Sequence, residues 1–393
     1  MSNLVTCRNQ IIPTVARSIA VAAALCCAGV ASAQSSVTVY GIVDAAVTVI
    51  NNQAGGTKTA LEAGQLATSR WGFKGTEDLG GGLKANFMLE STLANDTGGA
   101  GAGFGPTATV PSNSFTQGGG STSLFDREAT VGLSGGFGSV NLGRQNMLGV
   151  NSIGLADPLG LAHAGTNPNV VYSALNSGSL FGGYGTNNGG TELRQNNSVK
   201  YVSPVMSGFI GAAMYGFGEK AGDNSASSYA ALSGVFTDGT SGVALAYAKL
   251  KEVTGSNMNL IGGGAKYVMN PVTFKLTYAQ SEVDGASSVA VFRNRKIAVT
   301  GLGIDYALSA ATTLTGAYYN TKQSGSVLGS GKADQYIVLG KYALSKRTTA
   351  YGSLTYAKAG SATNPADLQM AAGLVGGGND NATRVAFGVL HSF

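Results

Sequence analysis

From Val37 onward, segment after segment places large apolar residues at every second position. LKANFMLE puts Leu83, Ala85, Phe87 and Leu89 on one face and Lys84, Asn86, Met88 and Glu90 on the other. VTFKLTYA sets Val272, Phe274, Leu276 and Tyr278 against Thr273, Lys275 and Thr277. The last segment, RVAFGVLHSF, gives Val385, Phe387, Val389, His391 and Phe393 one parity, and Arg384, Ala386, Gly388, Leu390 and Ser392 the other. A period of two belongs to a strand whose faces meet different surroundings. The apolar face must be covered, and no helical pattern supplies the cover. Lipid can. Beyond residue 33 no apolar run reaches 18 residues, which excludes helical spans. In lipid every backbone group must be paired within the protein, so a closed barrel remains. A soluble β-helix would show a fixed period of about 20 residues, which the irregular hairpin spacing lacks.

The composition fits that reading. Charged residues make up 11 % of the chain, against about 25 % in a typical soluble domain. Glycine supplies 60 of 393 residues, many of them in turns. The N-terminus reads as an export signal: Arg8 and Arg17, the apolar SIAVAAALCCAGVA, and the small-residue Ala31-Ser32-Ala33. Cleavage is expected after Ala33, making 1–33 the leader and 34–393 the barrel. The leader holds all three cysteines, so the mature chain has no disulfide chemistry. Losing its two arginines takes the formal charge from +5 to +3. With no basic run, nucleic acid is not a partner.

Connections alternate in length. Seven short turns are GTEDLGGG, SGGFGS, SPVMSG, FTDGTSG, VMNP, LSAAT and LSKRT, rich in residues that favour turn geometry. Eight longer, polar connections separate the hairpins. Together they join sixteen strands, with both ends of the barrel chain and the short turns on the periplasmic side.

The segments SSVTVYGIVDA, SRWGFKGTEDLGGGLKANFMLE, VGLSGGFGSVNLGRQ and FGVLHSF, in this order, resemble the trimeric general porins of Gram-negative bacteria, most of all the β-proteobacterial branch. The likeness runs from Ser35 to Phe393. It implies an all-β, 16-stranded antiparallel transmembrane barrel, three per assembly, each with a water-filled pore narrowed by an inward-folded third loop. The longest connection here is the third, from about Met147 to Leu193. A connection this long is usually functional, although length alone also allows a surface loop. The resemblance further implies that Val385, Phe387, Val389, His391 and Phe393 carry the signal read by the barrel-insertion machinery.

A general porin does no bond chemistry; charges in a narrow, low-dielectric bore sort its solutes. Alternation turns Arg70, Lys74, Lys84, Glu90, Lys200, Lys275 and Arg384 inward, since a charge facing lipid costs roughly 2–4 kcal/mol at midplane. Arg70 and Lys74 match the family segment whose arginine belongs to the basic wall of the constriction. Arg127 shares parity with Ala129, Val131 and Leu133. The family pattern nevertheless turns it inward, which would turn Ala129 and Val131 inward too. For Arg144 a subunit contact or loop anchor fits as well as the pore wall. In the third loop, Asp157 is the expected constriction charge, with Glu192 at the far end. The constriction set is therefore Arg70, Lys74, Arg127 and Asp157. Its basic balance implies mild anion preference.

Enzyme signals fail. GLSGG at 132–136 fits G-x-S-x-G but lies at a hairpin, without the helix that motif requires. The two histidines, His163 and His391, have no cluster around them for zinc. GSGKA has Ser326 where a phosphate loop needs glycine, and Ala333 where it needs a hydroxyl. No cofactor is implied. The expected function is passive diffusion of small hydrophilic solutes and ions through a homotrimer surrounded by outer-membrane lipid and lipopolysaccharide. A substrate-specific channel and a plugged adhesive or structural barrel are the alternatives. The aromatics Tyr172, Phe181 and Tyr184 are too few for a sugar slide.

Overall fold

The computed structural model describes residues 36–53, 56–100, 124–160, 194–226, 228–251, 256–285, 293–325, 327, 329–370, 375 and 379–393. The leader and most of the third connection, with His163, Tyr172, Phe181, Tyr184 and Glu192, lie outside these residues.

The chain forms one antiparallel sheet that closes on itself. Strand β1 (Ser36–Gln53) is followed by β2 (Gly56–Ala63) and β3 (Arg70–Gly80), then β4 (Leu83–Ala94) and the short β5 (Gly99–Ala100). Next come β6 (Glu128–Gly135), β7 (Gly138–Asn146), helix α1 (Leu148–Gly154), β8 (Arg194–Val202) and β9 (Phe209–Gly216). Hairpins continue with β10 (Tyr229–Thr237), β11 (Gly242–Lys251), β12 (Asn257–Met269), β13 (Val272–Val283), β14 (Lys296–Ala307) and β15 (Thr312–Ser324). Last are β16 (Gly331–Ala343), β17 (Thr348–Ala359), helix α2 (Pro365–Met370) and β18 (Asn381–Ser392).

The lower part of β1 pairs with β3 and its upper part with β2, so β2 and β3 are two halves of one stave. Among the described residues, strand β5 pairs only with the end of β4. With these two adjustments, eighteen strands make a ring of sixteen staves. The ring closes where β1 meets β18, from Ile42 opposite Ser392 to Ile50 opposite Arg384. Gly41 and Phe393 exchange backbone bonds of 3.2 and 3.1 Å at its lower end. All seven expected turns are hairpin turns here. One is built on Asp238, whose carboxylate accepts the N–H groups of Thr240 and Ser241 and the Thr240 hydroxyl. Those bonds hold its pKa below the usual carboxylate range.

The first long connection is a correction. Strands β1 and β2 are separated only by 54–55, because both continue above the segment that the RWGFKG pattern marks. The polar stretch before Arg70 is strand, then a break at 64–69.

The two faces separate as alternation requires. On β11, Val243, Leu245 and Tyr247 are exposed while Ala244, Ala246 and Ala248 are buried. Val389, Phe387 and Phe393 are likewise outward, with Arg384 and Ala386 inward. The small inner residues of β9–β13 make room for α1, which packs on them through Leu148, Val150 and Ile153. Each such apolar side chain contributes about 1.5–3 kcal/mol when fully buried. The segment after α1 follows the wall. Ala156 rests over Gly264 and Pro158 over Gly303, where a Cβ would come within 2.8 and 2.6 Å of them.

Candidate functional site

Inward charges gather on the staves across the ring from α1. Glu90 on β4 is their centre. Its Oε1 accepts Arg127 Nε at 2.6 Å and lies 3.9 Å from Arg70 Nη1; its Oε2 accepts the Tyr40 hydroxyl at 3.0 Å. Lys74 holds its Nζ 5.1 Å from the centre of the Tyr40 ring. A cleft of about 320 Å³ beside it is lined by Thr38, Lys74, Asn86, Met88, Glu128 and Asn141. Glu128 stands opposite Glu90 in the ladder. Arg194, at the start of β8, interacts electrostatically with Arg127, Glu90, Arg144 and Arg70.

Each side chain has a local reason for its place. Asp126 accepts the N–H and hydroxyl of Thr92, which ties the end of the second connection to β4. Arg127 follows it before β6 begins, so strand parity does not govern it, and it is 4 % exposed. An inward Arg127 therefore does not drag Val131 inward: Val131 is 61 % exposed and shares the outer face with Leu133. Arg70 Nε donates to Thr68 O at 3.0 Å, so the 64–69 break helps aim it. That break is held in turn by Asp44, which accepts the N–H groups of Leu66 at 2.5 Å and Ala67 at 2.7 Å.

The other expected residues serve varied ends. Arg384 faces inward, but its Nη2 bonds Glu62 Oε2 at 3.0 Å and also Gln65 Oε1, clamping the same break. Lys275 pairs with Asp305 at 2.7 Å and donates to Pro158 O at 3.2 Å. Lys200 donates to Asn146 O at 3.3 Å, and Lys84 stands opposite Ser134 with open space around it. Arg144 is a loop anchor: it donates to Asp126 O at 2.5 Å and to Asn196 Oδ1. Asp157 is turned to the wall, 3 % exposed, its Oδ1 accepting the Tyr319 hydroxyl at 2.9 Å. Ser134 accepts Asn86 Nδ2 at 2.7 Å, while His391 lies on the outer face beside Thr348.

Tyr40, Glu128 and Arg194 were not singled out from the sequence. Arg194 sits where the long connection becomes strand, and parity has no starting point there. Its Nε and Nη1, and Arg127 Nη1, make no hydrogen bond to the described residues although buried. Four cations, Arg70, Lys74, Arg127 and Arg194, thus face two carboxylates, Glu90 and Glu128. A charge imbalance of this kind acts on an ion wherever a narrow aqueous path is walled by low dielectric.

Comparison with known proteins agrees with this architecture. The Gram-negative porin family matches residues 19–362. Outer membrane porin protein 32 of Delftia acidovorans is 31 % identical, over 96 % of this chain and 99 % of that protein. The solved anion-selective porin from Comamonas acidovorans superposes with a TM-score of 0.71 at 27 % identity, covering 92 % of this chain and all of the other. OmpT of Vibrio cholerae, at 14 % identity and a TM-score of 0.63, covers 92 % of this chain and 99 % of its own, and shares the fold. A sixteen-stave ring, a helix and following segment packed inside it at the start of the third connection, and a family match over most of its length agree: the chain belongs to the Gram-negative porins, channel proteins of the outer membrane.

Proposed function

We propose that this porin prefers anions, and that the preference arises at the wall carrying Arg70, Lys74, Arg127 and Arg194. The observation that carries the reading is the set of buried guanidinium donors on Arg127 and Arg194 with no partner among the described residues. Glu90 neutralises part of the cluster and fixes its geometry, leaving excess positive charge for a passing anion. Asp157 serves as the anchor of the third connection on Tyr319. The solved relative named an anion-selective porin supports the same reading. Solutes pass by diffusion, without bond chemistry. Three copies make the working unit, and the outward set Val385, Phe387, Val389, His391 and Phe393 is the insertion signal.

Conductance in a planar bilayer under a potassium chloride gradient tests this. The expected result is ohmic steps in groups of three, with a reversal potential on the chloride side. A reversal potential on the potassium side would overturn the selectivity. Absence of steps from a folded, inserted barrel would favour the plugged or adhesive reading.

A further inference from the structure

The cleft beside Tyr40 holds two opposite charges that do not meet. Lys74 on β3 and Glu128 on β6 both line it, with β4 between them. The Lys74 ammonium lies 5.1 Å from the centre of the Tyr40 ring and enters no ion pair among the described residues. Glu128 enters none either; Lys200 and Arg194 act on it from a distance. Its neighbour across the ladder is Glu90, another carboxylate. Like charges directly opposed across a ladder are destabilising. Glu90 has Arg127 to offset that cost, while Glu128, partly covered, has no counter-charge in contact. A charge kept where the fold gains nothing from it marks a functional position.

The wall between the two charges is shaped for a small guest. Lys74, Met88 and Thr130 stand in one row across β3, β4 and β6, and Glu128 is two residues along β6 from Thr130. Two ladder spacings sideways and two residues lengthwise put the Lys74 and Glu128 backbones about 12 Å apart. Both side chains border the same space of about 320 Å³. That is the small end of the range for ligand cavities.

Two amides line the same space, and they differ. Asn86 is engaged: it accepts the Thr76 hydroxyl at 3.1 Å and donates to Ser134 Oγ at 2.7 Å. The Asn141 side chain makes no hydrogen bond among the described residues. It lies over Gly132, where any Cβ would collide with its Oδ1. The missing side chain at Gly132 thus lets an uncommitted amide border the cleft. Met88 adds an apolar surface between the charges.

A lone anion in this cleft would satisfy Lys74 and confront Glu128. A lone cation would satisfy Glu128 and confront Lys74. A molecule carrying both charges satisfies both walls through charge-assisted hydrogen bonds, the stronger kind. We infer that the cleft is a binding site for small zwitterions of the α-amino acid class. Lys74 takes the carboxylate, Glu128 the ammonium and Asn141 a further polar atom, while the solute's side chain rests on Met88. The site shares a wall with the cations of the proposed selectivity. It rests on the channel reading and is independent of the anion preference.

The full-length protein, folded in detergent at neutral pH, is titrated with L-alanine, N-acetyl-L-alanine and L-alaninamide. Saturation-transfer difference NMR reads the binding of each. The acetyl group removes the ammonium and the amide removes the carboxylate, so each analogue keeps one charge. Alanine should bind about fivefold or more tighter than either analogue. E128Q should abolish its advantage over N-acetylalanine, and K74Q its advantage over alaninamide. N-acetylalanine binding the wild type as tightly as alanine would assign the cleft to plain anions and overturn the inference. Alanine binding to E128Q as it does to the wild type would overturn it too. If E128Q does not give a folded barrel, N141A is the second variant. Weaker alanine binding by N141A supports the site, and unchanged binding overturns it. None of these readings uses a conductance or a reversal potential, so failure here is distinct from failure of the channel or of its anion preference.

Discussion

Glu90 is an acid placed among bases, and the effect of removing it follows from its partners. Glu90→Gln frees Arg127 and Arg70 from their shared counter-charge, so the chloride-to-potassium permeability ratio should rise by roughly twofold or more. Arg127→Gln should lower that ratio by a similar factor; reversal potentials of both variants check the pair. Arg127→Gln also leaves Glu90 covered and short of a partner, and breaking a buried pair costs roughly 3–5 kcal/mol. Its barrel should unfold at lower urea concentration than the wild type. Most of these charges were legible from parity alone: Arg70, Lys74, Glu90 and Arg384 all face inward. Parity failed at Arg127 and Arg194, which sit at strand boundaries. It also could not show that the Arg384 guanidinium is spent on Glu62 and Gln65.

At the scale of elements, α1 and the residues after it depend on gaps in the inner wall. A Cβ on Gly303 would lie 2.6 Å from Pro158 Cβ and 2.8 Å from its Cα. Gly303→Val must therefore push the segment around Pro158 into the bore. Single-channel conductance should fall, while the sign of the reversal potential should persist. The break between β2 and β3 offers a second test. Asp44→Ala leaves the N–H groups of Leu66 and Ala67 without their acceptor. An unsatisfied buried donor costs about 1–3 kcal/mol, so the heat-modified gel transition should shift to lower temperature. The hairpins were readable because turn residues and alternation repeat the same message seven times. The break was not. Nothing in GQLATS announces that its backbone will leave the ladder, because its acceptor lies 20 or so positions back on another strand, about a barrel stave away.

For the whole molecule, the question is where the ring is strongest. Its seam, β1 against β18, is bridged from inside. Tyr351 on β17 reaches across β18 to donate to Asp44 on β1, passing over Gly388, where any Cβ would collide with its phenol. Arg384 on β18 ties to Glu62 on β2 in the same neighbourhood. By contrast β8 and β9 share only five register pairs, from Ser198 opposite Gly216 to Val202 opposite Ala212. A cask gives way at its loosest joint, whatever the order in which its staves were laid. Under warming, amide hydrogen exchange should appear first along β8 and β9, and last along the seam. A seam that exchanged first would mean the rivets at Asp44, Tyr351 and Arg384 bear little of the hoop tension. If they do bear it, the joint made between the first and last staves has become the one least able to part, and any sideways opening of the wall toward the lipid must begin elsewhere.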